Sequence, residues 1–399
     1  MTGLCPFPFA VGAETQPPPE YAETQAEPGL RRVKIAGGRE ALLVTRYSDV
    51  KFVLADQRFS RLAYSKIAMA GVPRESLPLV TTDPPDHTRR RAAVAHAFTA
   101  HRVRSMRALV EEVVAEAVSD LAAGPTPVDL VEHFARPITM VIMCRVLGLP
   151  EKDQDRFEHW GNLTISAGRY PMGEMIKAHQ EMHEYFDRLV TERQEAIDRG
   201  HPTDDVLSQM LVSTHPDRQV SRAETVSQIS GVFYAGYEST SSQMGSAVFE
   251  LLRRPDVADE LRTQPDRAVP IVEELLRYLT IAENGGMHHV ATEDITLPDG
   301  SLVRSGEIVI PIPDAANRDP EIFDSPHTLD VNRPSVPHIA FGHGLHYCVG
   351  SELARLELQV ALSALLTRFP TLELAVPEQD LQWRTDMLVR GLWKLPVRW

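Results

Sequence analysis

Cysteine is scarce: the 399 residues contain three, Cys5, Cys144 and Cys348. An odd, small number builds no disulfide framework and suits a reducing cytoplasm. Long apolar runs are missing too, and no stretch approaches the ~20 residues of a membrane span. The opening MTGLCPFPFA has no basic stretch and is broken by prolines, so it reads poorly as a secretory signal. Positive charge is in deficit, with 41 basic against 55 acidic side chains and a net charge of −14. That excludes a general affinity for nucleic acid or anionic membranes and leaves room only for local basic patches. There is no internal repeat, no low-complexity tract and no strand–helix alternation of the kind that builds a parallel sheet. The expectation is a soluble cytoplasmic protein that engages neither nucleic acid nor membrane.

What is present is an ordinary globular composition, 43% hydrophobic and 24% charged, with 30 prolines to define loops. Residues 1–28, rich in Pro, Glu and Gln, read as an extended N-terminal arm, and 29–399 as one domain. Apolar runs around Gly37-Gly38 predict a hairpin, and a helix follows over 48–55. Residues 62–86 read as a long loop, a length often reserved for function. From His87 the spacing turns helical. It stays so through 131–147, 151–167, 172–199, 203–213 and 268–280. A capping box at Ser221 and Glu224 opens a helix running to Arg253-Arg254. At about 33 residues it is roughly 50 Å long. Residues 289–312 switch to short hairpins around Asp299-Gly300 and Ser305-Gly306. The last helix, 350–369, is apolar on more than one face and reads as buried, and 371–399 as short strands. The fold class is mainly α with a small β subdomain: β-rich over about 30–60, 289–312 and 371–399, helical over about 87–280 and 350–369.

The stretch FGHGLHYCVG, 341–350, places a thiol just ahead of that last helix, among three glycines and two histidines. A helix N-terminus favours thiolate over thiol. Glycine lets the backbone turn tightly against something flat. Three readings compete. One is a buried structural cysteine. A second is zinc held by His343, His346 and Cys348, although a structural zinc wants four protein ligands. The third is haem iron with a single thiolate ligand. Further signals lie elsewhere. Glu274 and Arg277, three apart, share a helix face and can pair. The spacing of His87 and Arg91 also puts two side chains on one face. Gly231 and Gly236 sit inside the long helix, where each costs about 1 kcal/mol against alanine and needs a reason. A flat cofactor, a helix distortion or a tight helix crossing would supply one.

FGHGLHYCVG resembles the haem-binding loop of the cytochrome P-450 family, FGxGxHxCxG, at every fixed position: Phe341, Gly342, Gly344, His346, Cys348 and Gly350. Glu274-Leu275-Leu276-Arg277 is similar to the family's ExxR, with Arg333 of LDVNRP completing the triad. Ala235-Gly236-Tyr237-Glu238-Ser239 resembles its oxygen-binding AGxET, with serine where threonine is usual. HTRRR resembles its HxxxR, which leaves Arg89 and Arg90 to face solvent or the sheet. In MHHVATEDI an arginine usually precedes VATED, and His289 stands there instead. The resemblance runs from about residue 30 to the end.

That resemblance implies the family's triangular-prism fold and a haem-thiolate monooxygenase, which inserts one atom of molecular oxygen into a small, largely apolar natural product. The cofactor would be haem b, iron protoporphyrin IX, with Cys348 on the metal. Glu238 and Ser239 would be catalytic, relaying protons. His87, Arg91, His289 and His346 would hold propionates, while Ala235, Gly236, Phe341, Gly342 and Gly350 would line the ring. No flavin or nicotinamide domain fits beside the haem domain, so electrons from NAD(P)H would arrive through ferredoxin reductase and a ferredoxin. The expected docking face carries Arg102, Arg104 and Arg107. Substrate walls are expected from 62–80, 163–180, Val232 to Ser239, 281–287 and the tail near Leu388. Ile281, Ala282, Gly285 and Gly286 suggest room over the ring. Oxidative coupling or dehydrogenation on the same haem is the alternative, and a haem-based gas sensor a remote one.

Overall fold

The computed structural model describes residues 4–9, 15–213, 215–279, 281–282, 286–333 and 337–399. The chain divides into two compact units, one made of Met1–Gly71, Val80–Asp83 and Pro270–Cys348, the other of Val72–Leu79, Pro84–Val269 and Val349–Trp399.

The first unit is built on a six-stranded mixed sheet. Its strands run in the order Cys5–Pro6, Arg31–Lys34, Glu40–Val44, Ile308–Pro311, His289–Ala291 and Phe59–Ser60. The predicted hairpin is there, with Val33 opposite Ala41. Glu40–Val44 then pairs in parallel with Ile308–Pro311, so this inner strand is covered on both faces and its residues are apolar almost throughout. Alternation sorts them. Leu42 and Val44 join Tyr47, Val50, Val53 and Phe323 on one side. Ala41 and Leu43 join Phe7, Phe9, Tyr21 and Ile310 on the other.

Those last partners correct the extended arm expected at 1–28. Cys5–Pro6 is an edge strand parallel to Arg31–Lys34, and Pro19–Ala26 is a helix. Three buried aromatics outweigh the polar, proline-rich appearance of the segment. The loop expected at 62–86 also changes. Ser60 caps a helix, Arg61–Ala68, by accepting from the Ala63 amide, and only short 3-10 turns follow it.

The second unit is helical. The long helix Arg222–Leu252 has 31 residues and opens on the predicted capping box. It packs against Arg136–Leu147, Met172–Asp198 and Ser351–Arg368. Phe157, Tyr185, Phe186 and Phe233 interlock where the long helix and Met172–Asp198 meet a further helix, Gln154–Thr164. The C-terminal strands Glu373–Leu374 and Pro396–Arg398 pair within this helical unit, with Val128–Asp129 as third strand. The sequence reading had grouped that tail with the large sheet. Among the described residues no helix is long and apolar enough to cross a membrane.

Candidate functional site

The cysteine loop belongs to the first unit as far as Cys348. Its turns close through backbone bonds: Gly342 N–H to Ile339 O (2.9 Å), Tyr347 N–H to Gly344 O (3.1 Å) and Cys348 N–H to Phe341 O (2.9 Å). The Ile339 amide in turn donates to the buried Asn317 Oδ1 at 2.8 Å, which anchors the loop's entry. Gly342 and Gly344 both have positive φ, 74° and 68°. At Gly344 glycine is compulsory on two counts, since a Cβ there would lie 2.6 Å from the Leu54 carbonyl oxygen and 2.7 Å from Ala55 Cα.

The result is an exposed Cys348 on a rigid turn. No residue from Phe341 to Gly350 is buried, although Phe341, Leu345 and Val349 are apolar. Among the described residues, the two chain neighbours aside, nothing lies within 4 Å of where a Gly350 Cβ would stand. This excludes the buried structural cysteine. It fits a flat, apolar group carrying a metal. The zinc reading finds no ligand set: among the described residues no three His, Cys, Asp or Glu side chains gather.

The charged triad beneath this loop is as expected. Arg277 grips Glu274 through two bonds of 2.7 Å, and Arg333 Nε reaches the same carboxylate at 3.4 Å. Arg277 also donates to the carbonyls of Asn317, Pro326 and Thr328, so one buried cation organises the irregular 317–333 segment.

His289 is 2% exposed and lies on the sheet strand opposite Phe59–Ser60. Its Nε2 accepts a bond from Arg61 Nε at 3.0 Å. Burial, then the Arg61 charge, holds its pKa well below that of a free imidazole, so it is neutral. His288 beside it stacks on Tyr64, and burial lowers its pKa to about 4. His338 pairs with Glu273 at 3.1 Å.

In the second unit, Glu238 and Ser239 lie midway along the long helix. Glu238 is buried and fully engaged. Arg384 Nη1 donates to one oxygen and Tyr237 Oη to the other, each at 2.7 Å. Arg384 also reaches Asn162 Oδ1 at 3.3 Å and lies over the Trp393 ring at 4.7 Å. A C-terminal hairpin delivers it, closed by Arg384 N–H to Gly391 O (2.8 Å) and fixed to the helix Gln154–Thr164 through Leu388 N–H to Ile165 O (2.9 Å). Ser239 Oγ donates to the Ala235 carbonyl at 2.6 Å, which leaves its lone pairs open.

Ala235 is exposed, while Gly231, Val232, Gly236 and Ser239 are half-buried, so one stripe of the helix is uncovered. At Gly236 the structure gives a packing reason for glycine: a Cβ would meet the Met143 thioether at 2.5 Å. At Gly231 nothing is near, so the helix crossing does not explain that glycine.

His87 is fully buried, and Arg91 half-buried one turn on, in the helix Asp86–Ala95. Arg90 does not face solvent, and Arg89 is only partly exposed. Arg89 binds Glu224, and the buried Arg90 donates to Glu224 (3.1 Å) and to the carbonyls of Leu77 (2.8 Å) and Arg74 (2.9 Å). Against the cost of burial, bonds from Arg89 and the Ser221 amide bring the Glu224 carboxyl down to about 2. Sequence reasoning missed Arg61, Tyr237 and Arg384. Tyr237 lay beside its partner; the other two become neighbours only through strand register and a tail hairpin. Gly285 lies outside the described residues.

A family model described as Cytochrome P450 matches residues 16–390. The chain is 38% identical over 397 residues to nocardicin C N-oxygenase of Nocardia uniformis subsp. tsuyamanensis, covering 98% of each. It is 38% identical over 384 residues to mycinamicin IV hydroxylase/epoxidase of Micromonospora griseorubida, covering 95% of this chain and 94% of that one. Among solved structures, the LnmA hydroxylase of the leinamycin biosynthetic pathway of Streptomyces atroolivaceus S-140 superposes with a TM-score of 0.89 at 37% identity, covering 99% of this chain and 100% of that one.

Proposed function

Because the chain belongs to the cytochrome P450 family, we propose that Cys348 binds the iron of a haem and that Glu238 and Ser239 serve the oxygen chemistry done there. The enzyme is an oxygen-using oxidoreductase, a tailoring monooxygenase of bacterial secondary metabolism. The observation that carries the residue assignment is the exposed thiol on a loop that glycine alone can close.

Haem bound through a thiolate supplies a site at which dioxygen is reduced and one of its atoms passed to a substrate. This chain's residues do the rest. Backbone amides in the Phe341–Cys348 turn fix the sulfur's position. Phe341, Gly342, Gly350, Ala235 and Gly236 would line the ring. His87, Arg91 and His346 would hold the propionates. Glu238 is kept in place by Arg384, and Tyr237 Oη donates to its other oxygen. Ser239 Oγ turns its own proton to the Ala235 carbonyl and keeps lone pairs open to accept a hydrogen bond, and the two residues would together serve proton delivery.

The expected substrate walls carry exposed apolar side chains: Ile67, Val80 and Met287 in the first unit, Val72, Met172 and Leu388 in the second. Apolar side chains in these segments suit a largely apolar natural product. Electrons from NAD(P)H would enter through an acidic ferredoxin and its reductase, with Arg102, Arg104 and Arg107 as the docking face. All three are at least partly exposed.

The test is spectroscopic and isotopic. The reduced carbonyl complex should show the red-shifted Soret band of anionic sulfur, and Cys348→Ala should lose it. One labelled atom from dioxygen should appear in product. A wild-type protein that takes up haem without that band overturns the assignment.

A further inference from the structure

A buried cation with no salt-bridge partner among the described residues is the strongest unexplained feature of the first unit. Arg61 is 8% exposed and opens the helix Arg61–Ala68. Its Nε donates to His289 Nε2 (3.0 Å) and its Nη1 to the Val80 carbonyl (3.3 Å). Neither partner carries charge. The nearest carboxylate, Asp83, is spent elsewhere: it accepts from Ser60 Oγ, from the Arg61 amide (3.2 Å) and from the Leu62 amide (3.4 Å), capping the helix. Burial pulls the Arg61 pKa down to about 10, and the Asp83 charge recovers only part of it. Even so the guanidinium stays charged at neutral pH. Isolated buried charges are costly, and a lasting one points to a partner that arrives with a ligand.

The position of this cation is set by register. Ser60 pairs with Val290, which brings Arg61 beside His289. His289 stands where an arginine usually precedes VATED. Because Arg61 donates to its Nε2, the imidazole must be neutral with its proton on Nδ1. It therefore cannot supply the charge that the usual arginine would bring to a propionate.

We infer that Arg61, braced by His289, is the haem-propionate ligand that replaces the missing arginine, with His289 acting as a positioning residue behind it. This rests on the haem-binding reading above. Among the described residues the guanidinium Nη2 makes no hydrogen bond and is available to the carboxylate. The ligand class is thus an organic carboxylate carried by the haem itself.

The experiment measures haem loss from holoenzyme to excess apomyoglobin, with haem and with haem dimethyl ester, whose propionates are uncharged. Wild type should release the ester at least about ten-fold faster than haem. In Arg61→Gln haem itself should leave about ten-fold faster, and the ester-to-haem ratio should shrink by a similar factor. Arg61→Lys should retain part of the ratio, and His289→Leu should lower it. A merely structural role would raise both rates together and leave the ratio unchanged, and that result overturns the inference. If Arg61→Gln does not accumulate, the Lys variant and the wild-type ratio decide, equal release of both haems by wild type being fatal. A wild-type protein with a thiolate carbonyl band but an unchanged ratio in the variants sinks this inference alone. A wild-type protein without that band sinks the haem-thiolate reading with it.

Discussion

Replacing Arg384 by alanine should be among the most damaging single changes in the helical unit. The Arg384 and Glu238 side chains are 3% and 2% exposed and meet at 2.7 Å. Removing one partner of such a pair strands the other charge and costs about 3–5 kcal/mol. The stacking over Trp393 adds to the loss, by about 1 kcal/mol. Replacing both charges together, as in Arg384→Met with Glu238→Gln, removes the stranded charge and should recover most of the deficit. The cycle should therefore show a coupling of at least about 2 kcal/mol. Urea unfolding of the holoenzyme, followed by circular dichroism and Soret absorbance, reads all four proteins. Product formed per electron pair gives the functional side: the single variant should divert several-fold more electrons away from product, because Glu238 loses the bond that orients it. A loss below about 1 kcal/mol in Arg384→Ala, or strict additivity in the double variant, would refute the reasoning that the pair is dry and coupled.

Asp49, buried beside Asp299, has its carboxyl pushed up to about 6, chiefly by burial and then by the Asp299 charge. A raised folded-state value gives stability that is present below the unfolded pKa and lost as pH rises through 6. Asp49→Asn should therefore be more stable than wild type at pH 8 by about 1–3 kcal/mol, and the gain should fade between pH 6 and 4; a gain independent of pH would contradict it. Gly344→Ala combines a positive φ with a collision against the Leu54 carbonyl and should cost at least about 2 kcal/mol. The fraction of protein showing the thiolate carbonyl band should fall with it. Reversing charge at Arg104 and Arg107 should slow reduction by ferredoxin several-fold at low salt and flatten the salt dependence; unchanged stopped-flow rates would remove that docking face.

Local signals were legible where local physics decides. The Ser221–Glu224 capping box and the Glu274–Arg277 pair work within a few residues of themselves, and each stands as read, as does the tight turning at Gly342 and Gly344. Misreadings came where distant chain overrides local character. Residues 1–28 look like a loose polar arm, yet Phe7, Phe9 and Tyr21 fill the face left open beside Ala41 and Leu43. Arg89 and Arg90 look like spare surface charge. Glu224, about 130 residues later, claims both. At Gly236 a packing reason for glycine comes from Met143, distant in the sequence.

The two departures from the family pattern, His289 and Ser239, have different structural consequences. At 289 a charge is missing, and charge is transferable: a guanidinium arriving from the helix that follows the adjacent strand can stand in for one arriving from the strand itself. The antiparallel pairing of Phe59–Ser60 with His289–Ala291 makes the two positions neighbours, and the imidazole left behind becomes the acceptor that aims the substitute. At 239 what is missing is a methyl group, and its effect is confinement. Threonine's branched Cβ restricts χ1, while serine keeps the hydroxyl and gives up the restriction. The single bond to the Ala235 carbonyl is then what holds the Ser239 rotamer. Ser239→Thr should therefore raise the fraction of electrons that reach product, whereas His289→Arg should gain little in haem retention, because Arg61 already supplies that charge and two buried guanidinium groups would repel. A large gain from His289→Arg would show that the cation at 61 does not reach the propionate.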